Sequence, residues 1–413
     1  MMNMNRIVAL AAVSGALLLP GMASAEEVVK ITVIDPQSGL MGPVGASMFR
    51  QWQYAAEMAN RDGWAKGIKF EVQAADNKLS PQESLSILKS AVDSGVRYVA
   101  QGNGSGVGVP LQQAVQKHNE RNPEEAVLYM NYAAVDPVQT NENCTFSHFR
   151  TDATVDMKVL GIVNYLAQNA ADTKKVYLIN QDYSFGHSVA KAAHRFLKEK
   201  MPSVEVVGED LHPLARVTDF SQYAAKIKAS GADTIITGNW GSDLALLVKA
   251  AKDAGVDAKF FTFYAGTTGV PTQIGAAGEG KVYMVDYVDR TTPTYLEAAK
   301  EFKEKYNDDF YVAAAVSNIR MLSEAMNKVG STDPLKVAAA LEGLKFEGVS
   351  GTLQMRADDH QLQQPLFISS WQKVDGDKVK FDQEGTGYGW RQEHAFSADE
   401  VSQPTTCQMK RPS

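Results

Sequence analysis

Short runs of β-branched and apolar residues alternate with helix-length stretches along this chain, and the alternation runs twice. The first series places strands at 30–35, 68–74, 96–100 and 127–131. Helices at 44–60, from Ser80-Pro81 to Gly95, and at 110–119 separate them. After Arg150 the pattern restarts. Helices at 153–169, 184–200, 220–229 and 242–253 interleave with strands at 175–180, 204–208, 234–237 and 260–264. Strands and helices in strict alternation call for parallel sheets covered by helices on both faces. A chain of 413 residues is too long for one comfortable core, so two α/β lobes follow.

The remainder is less regular. Strands are expected at 282–288, 352–355 and 365–371, and helices at 295–306, 312–329 and from Asp333-Pro334 to 341. Asp375-Gly376, within 374–381, reads as a hairpin turn. Past Gly385 the periodicity is lost, and the chain reads as a surface tail.

The first 25 residues read as a secretory signal peptide. Arg6 supplies positive charge, and residues 7–19 are almost wholly apolar but shorter than the roughly 20 residues of a membrane span. Pro20 and the small residues Ala23-Ser24-Ala25 then mark cleavage after Ala25. No cysteine stands there to carry a lipid, and no later apolar run is long enough to anchor the chain, so it is expected free in the secretory compartment. The two cysteines, Cys144 and Cys407, would sit in an oxidising compartment. A bridge between them is favoured over two separate buried thiols and would tie the tail to the middle of the chain.

A formal charge of −7 without a basic, aromatic-laced stripe argues against a nucleic-acid partner. No histidine pair has zinc spacing with an acid, and no nucleophile elbow occurs, so neither a metal nor a cofactor nor a catalytic set is expected. Asp35 and Asp182 end strands; they either face each other as a carboxylate pair or fix their loops by accepting backbone hydrogen bonds.

Ligands of open α/β sheets bind beyond the carboxyl ends of the strands, and both series place unusual residues there. The first strand leads into a loop from Asp35 to Gly45 that contains Ser38 and Gly39. Its N–H groups suit an oxyanion, or make an ordinary turn. The third leads into Gly102-Asn103-Gly104-Ser105-Gly106-Val107-Gly108. The register fails for a dinucleotide fingerprint, because Val107 and Val109 stand where glycine is needed, and no lysine follows for a P-loop. Asn103, Gly104 and Ser105 are left as donors to a small polar solute, with a flexible turn as the alternative. The fourth leads into Tyr132-Ala133-Ala134-Val135-Asp136-Pro137. In the second series, Tyr183 with Phe185, Trp240 and Tyr264 follow successive strands. One donor-rich lobe facing one aromatic lobe suits a small, partly apolar anion, although each aromatic alone is as readily core.

These features, taken in order, resemble the periplasmic branched-chain amino acid-binding proteins, the type I solute-binding proteins of ABC importers. The resemblance spans nearly the whole chain. It rests on the loop from Ser38 to Gly45, Ala133-Ala134-Val135-Asp136-Pro137, Phe149-Arg150, Asp182 with Phe185-Gly186, Gly231-Ala232-Asp233, and the segments 343–351 and 356–361. It implies two Rossmann-like lobes joined by three crossings near 146–152, 275–284 and 352–364. Lobe 1 would comprise 26–147 and 279–355, lobe 2 148–278 and 356–395, and 396–413 a C-terminal tail. It also implies a monomer that closes on a small-molecule ligand and docks on an ABC permease in the inner membrane. For an amino-acid ligand, Asn103 or Ser105 matches the serine that holds the carboxylate, and Trp240 matches an aromatic wall. Val135 stands where the family has a threonine. Tyr264-Ala265-Gly266 has no acid where the family places the ammonium's partner. A periplasmic sensor docking on a membrane receptor is the alternative, and a secreted hydrolase is the weakest reading.

Overall fold

The computed structural model of the chain describes residues 26–170, 172–311 and 313–412; the expected signal peptide, 1–25, lies outside them. The first series forms β1 (Glu27–Asp35), α1 (Gly42–Asp62), β2 (Ile68–Asp76), α2 (Pro81–Asp93), β3 (Tyr98–Gln101), α3 (Ser105–Arg121), β4 (Leu128–Asn131) and β5 (His148–Arg150). The second forms α4 (Val155–Asn169), β6 (Lys175–Gln181), α5 (Ser184–Lys200), β7 (Glu205–His212), α6 (Ser221–Ser230), β8 (Thr234–Thr237), α7 (Gly241–Asp253), β9 (Lys259–Thr262), α8 (Val270–Ile274) and β10 (Val282–Asp286). The chain continues through α9 (Pro293–Tyr306), α10 (Ala314–Val329), α11 (Pro334–Leu341), β11 (Lys345–Gly348), β12 (Gly351–Met355), β13 (Leu362–Gln363), β14 (Leu366–Lys373), β15 (Tyr388–Phe396) and α12 (Ala398–Val401).

Two main sheets result. The first runs β2-β1-β3-β4-β5, all parallel. The second repeats that order as β7-β6-β8-β9-β10 and adds β14 and β15 antiparallel. These are the two lobes of a type I periplasmic binding protein fold. Several helices start at a side-chain cap. Ser80, Thr154, Thr292 and Asp333 each accept a backbone N–H at the head of α2, α4, α9 and α11, satisfying donors that the helix leaves open. The helices α1 and α10 bury Trp52, Met48, Ile319 and Leu322 against the first lobe's core.

β5 pairs within the first sheet and β10 within the second, so sheet membership changes after Arg150 and again after Asp286. The helices α9 and α10 then return to α1 of the first lobe. The third crossing is clamped to the first: Arg150 N–H donates to the His360 carbonyl at 2.9 Å, and Gln364 Nε2 to the Thr151 carbonyl at 2.6 Å.

Two local expectations change. The glycine-rich stretch after β3 is not a loop as far as Pro110: α3 begins at Ser105 and carries Pro110 inside it. Glycines lower helix propensity by about 1 kcal/mol each and so hide the start. The stretch after Gly385 is not all tail, because Tyr388–Phe396 forms the edge strand of the second sheet, with Trp390 edge-on to Trp371. Its many polar residues reflect a strand with a solvated side, and a register shift at Ile368/Ser369 breaks the alternation. Beyond it, a Cys144–Cys407 disulfide returns the tail to the first lobe, where Thr405 and Thr406 bond Thr140 and Asn141.

Candidate functional site

The carboxyl ends of β1, β3 and β4 face those of β6, β8 and β9 across the gap between lobes. Asp35, at the end of β1, is fully buried. Its carboxylate accepts from Asn103 N–H at 2.8 Å, from Gly102 N–H at 3.3 Å and from the Tyr132 hydroxyl. Burial pushes its pKa up from 3.8 to about 6, against the pull of those donors. Asp35 therefore shapes the turn before α3 and does not face the other lobe. Gly102 has to be glycine: a Cβ there would stand 2.5 Å from the Tyr132 ring. Asp182 is exposed and accepts from His187, far from any pairing with Asp35.

The turn delivers Asn103, Gly104 and Ser105 to a cavity between the lobes. Ala133 adds a wall from the end of β4, while Tyr183, Phe185, Trp240, Tyr264 and Thr267 close it from the second lobe. Trp240 Nε1 donates to the Tyr183 hydroxyl at 3.1 Å, which fixes both rings. The helices that start here, α3, α5 and α7, have no side-chain cap from their own N-cap residue; at α7 the Gly241 N–H donates to Thr267 Oγ1 at 3.3 Å, while the first N–H groups of α3 and α5 are left for a solute. Asn103 is buried and its Nδ2 completes no hydrogen bond within the protein, although it lies near enough to Asp35 to favour the charged carboxylate. Ser105 Oγ accepts from Asp136 N–H at 3.2 Å, leaving its own hydrogen to donate.

The lobes touch around this cavity. Ser242 Oγ lies 3.6 Å from Met41 Sδ, Ser188 Oγ 3.5 Å from Asp136, and the Tyr264 hydroxyl 3.4 Å from the Ala133 carbonyl.

Of the residues read from the sequence, Asn103, Gly104, Ser105, Ala133, Tyr183, Phe185, Trp240 and Tyr264 line the cavity. Ser38 and Gly39 do not; they are exposed, with Ser38 donating to Asp76 at 2.6 Å. Tyr132 and Val135 are buried behind the wall, Tyr132 engaged with Asp35 and Val135 with its carbonyl bonded by Val155 N–H. Met48, Gly102 and Thr267 line the cavity without having been singled out. Met48 comes from the middle of α1, where it reads as core.

A second chamber shares Met48, Ala133, Tyr264 and Thr267 with the first and reaches Asp152, Lys158, Asp286 and Tyr287. Lys158 contacts both oxygens of Asp152, at 2.8 and 2.9 Å, with each side chain 1% exposed. The Tyr264 hydroxyl donates to the same carboxylate at 3.1 Å, and the Lys158 ammonium lies 4.4 Å from the Tyr264 ring centroid. Burial pushes Lys158 down and Asp152 up, and their mutual attraction opposes both shifts.

Residues 28–378 match the family model described as periplasmic binding protein. The chain is 31% identical over 410 residues to Leu/Ile/Val-binding protein homolog 4 of Brucella abortus, covering 96% of each. It is 25% identical over 344 residues to a leucine-, isoleucine-, valine-, threonine-, and alanine-binding protein of Pseudomonas aeruginosa, covering 82% of this chain and 89% of that one. The structure of a protein of that same description from Brucella ovis, in a closed conformation, superposes with a TM-score of 0.83 at 30% identity, covering 94% of this chain and all of the other.

Proposed function

The chain belongs to the periplasmic binding proteins, in the branched-chain amino-acid type that serves ABC importers, and on that premise we propose how it holds its solute. It is a periplasmic binding protein of a transporter and not an enzyme. The solute's carboxylate is received by the Gly104-Ser105-Gly106 N–H groups at the head of α3, with Asn103 Nδ2 and the Ser105 hydroxyl beside them. Its apolar body lies between Phe185, Trp240 and Tyr264. The observation that supports this reading most is that one cavity draws its donors from the first lobe and its aromatics from the second.

A solute that touches both lobes stabilises the closed state over the open one, and that difference in affinity drives closure. The lobes are 26–150 with 287–363, and 151–286 with 364–396, the tail returning to the first. The closed monomer presents its solute to a permease of the inner membrane, the partner with which the family works. Calorimetric titration of the solute-stripped protein with small carboxylic acids, amino acids included, tests the reading. Binding of any of them, weakened at least tenfold by Ser105→Ala, is expected. Failure of all of them to bind overturns it.

A further inference from the structure

Resting on that carboxylate reading, we propose that Lys158 fills from within the protein the place an amino acid's ammonium would take, so that the solute is a small carboxylic acid without an amino group. The outer chamber is lined by no ionisable acid or base, only by the tyrosines Tyr183 and Tyr264 and by neutral residues. Acids enter only in the inner chamber, as Asp152 and Asp286. Each is already matched by a cation of the chain. Lys158 engages Asp152, and Arg290 engages Asp286 at 2.5 Å.

The Asp152–Lys158 pair is neutral overall, and its ammonium also faces the rings of Phe263, Tyr264 and Tyr287. An acid that reaches the cavity through the Tyr264 hydroxyl is therefore spent on an internal ammonium. A zwitterion would bring its own ammonium to a buried site whose carboxylates are already taken. Removing that ion from water costs about several kcal/mol when nothing opposes it. The carboxylate end meets no such conflict, since uncapped N–H groups receive it. An uncharged polar or apolar end fits the inner chamber, whose lining includes Met48, Phe263 and Met284 beside the tyrosine hydroxyls.

Matched pairs decide the question: leucine against 4-methylpentanoate, and phenylalanine against 3-phenylpropanoate, titrated into the stripped protein. The acid without the amino group is expected to bind at least tenfold more tightly in at least one pair. Lys158→Met frees Asp152 and is expected to shift that ratio at least tenfold toward the amino acid. Should this variant fail to fold, the wild-type ratio stands as the test. Equal affinity, or preference for the amino acid as the names of the Brucella and Pseudomonas relatives would predict, overturns this inference and leaves the carboxylate reading intact. Binding of neither member of either pair overturns this inference, and the carboxylate reading falls with it only if every other small carboxylic acid titrated also fails to bind.

Discussion

Arg150 Nε donates to Gln361 Oε1 at 2.7 Å, joining the first and third crossings between the lobes at one fully buried point. The same guanidinium donates to the Asp136 carbonyl at 2.7 Å, and to the Thr140 hydroxyl. Gln361 in turn donates through Nε2 to the Asp152 carbonyl at 2.9 Å. One side chain therefore holds the hinge and also the loop after β4 that supplies Ala133 to the cavity. The group keeps its charge in the interior because these acceptors replace water.

Arg150→Met leaves the Asp136 carbonyl and Gln361 Oε1 without their donor. The expected cost is about 3 kcal/mol, the range for breaking a buried charged network. Urea denaturation followed by circular dichroism measures it. A loss of less than about 1 kcal/mol would show that the hinge is held by its backbone bonds alone.

The fold was readable because its signal is periodic. Parallel strands buried on both faces are continuous apolar runs, such as Val33-Ile34 or Ile235-Ile236, and each helix between them announces an apolar face. The cavity was readable only at the strand ends, where Asn103, Ser105, Tyr183 and Trp240 break that pattern. Lys158 was not. It stands in α4 among Met157, Val159 and Leu160, where a lysine reads as a solvated face of an apolar helix. Its burial depends on Asp152 in the crossing and on Tyr264, 106 residues further along the chain, and no local pattern joins those three. Tyr388–Phe396 was lost for the opposite reason: an edge strand keeps its polar residues and so resembles a tail.

Asp35 makes stability depend on pH in a defined window. Its carboxyl titrates near 3.8 when unfolded and at about 6 in the folded protein. Between those values the folded state holds a proton that the unfolded state has lost. Stability from this group is therefore greatest at low pH and falls as pH rises to about 6, by up to about 3 kcal/mol. Asp35→Asn removes the titration. The stability difference between wild type and this variant should thus move by about that amount in favour of the variant from pH 4 to pH 7. Denaturant melts of both proteins across the range measure it, and parallel curves would assign the pH dependence elsewhere.

Trp240 is 5% exposed, yet it forms a wall of the cavity, so its replacement acts on binding and on packing. Trp240→Ala is expected to weaken solute binding at least tenfold, equivalent to about 1.4 kcal/mol, with a folded far-ultraviolet spectrum. Trp240→Phe keeps an aromatic wall but removes the donor to Tyr183, and should retain most of the affinity. Titration calorimetry on the two variants separates these contributions. Equal losses would mean that the hydrogen bond to Tyr183, and not the ring face, sets the site.

Gly241 sits where the lobes meet, at the head of α7, with φ +56°. A Cβ at this position would stand 2.6 Å from Met41 Sδ and 3.2 Å from Val44 Cγ2, both of the first lobe. Gly241→Ala therefore carries backbone strain of about 1 kcal/mol or more and a clash that exists only when the lobes are shut. The clash raises the energy of the closed state and leaves the open one untouched. Apparent affinity then falls in proportion to the population of the closed state that is lost. The expected result is at least tenfold weaker binding and a larger radius of gyration by X-ray scattering at saturating wild-type solute concentrations. Met41→Ala in the same chain removes the flexible sulfur from the contact and should restore part of the closure, though not the strain. If the double variant binds no better than Gly241→Ala alone, the loss comes from the backbone at Gly241 and not from contact between the lobes.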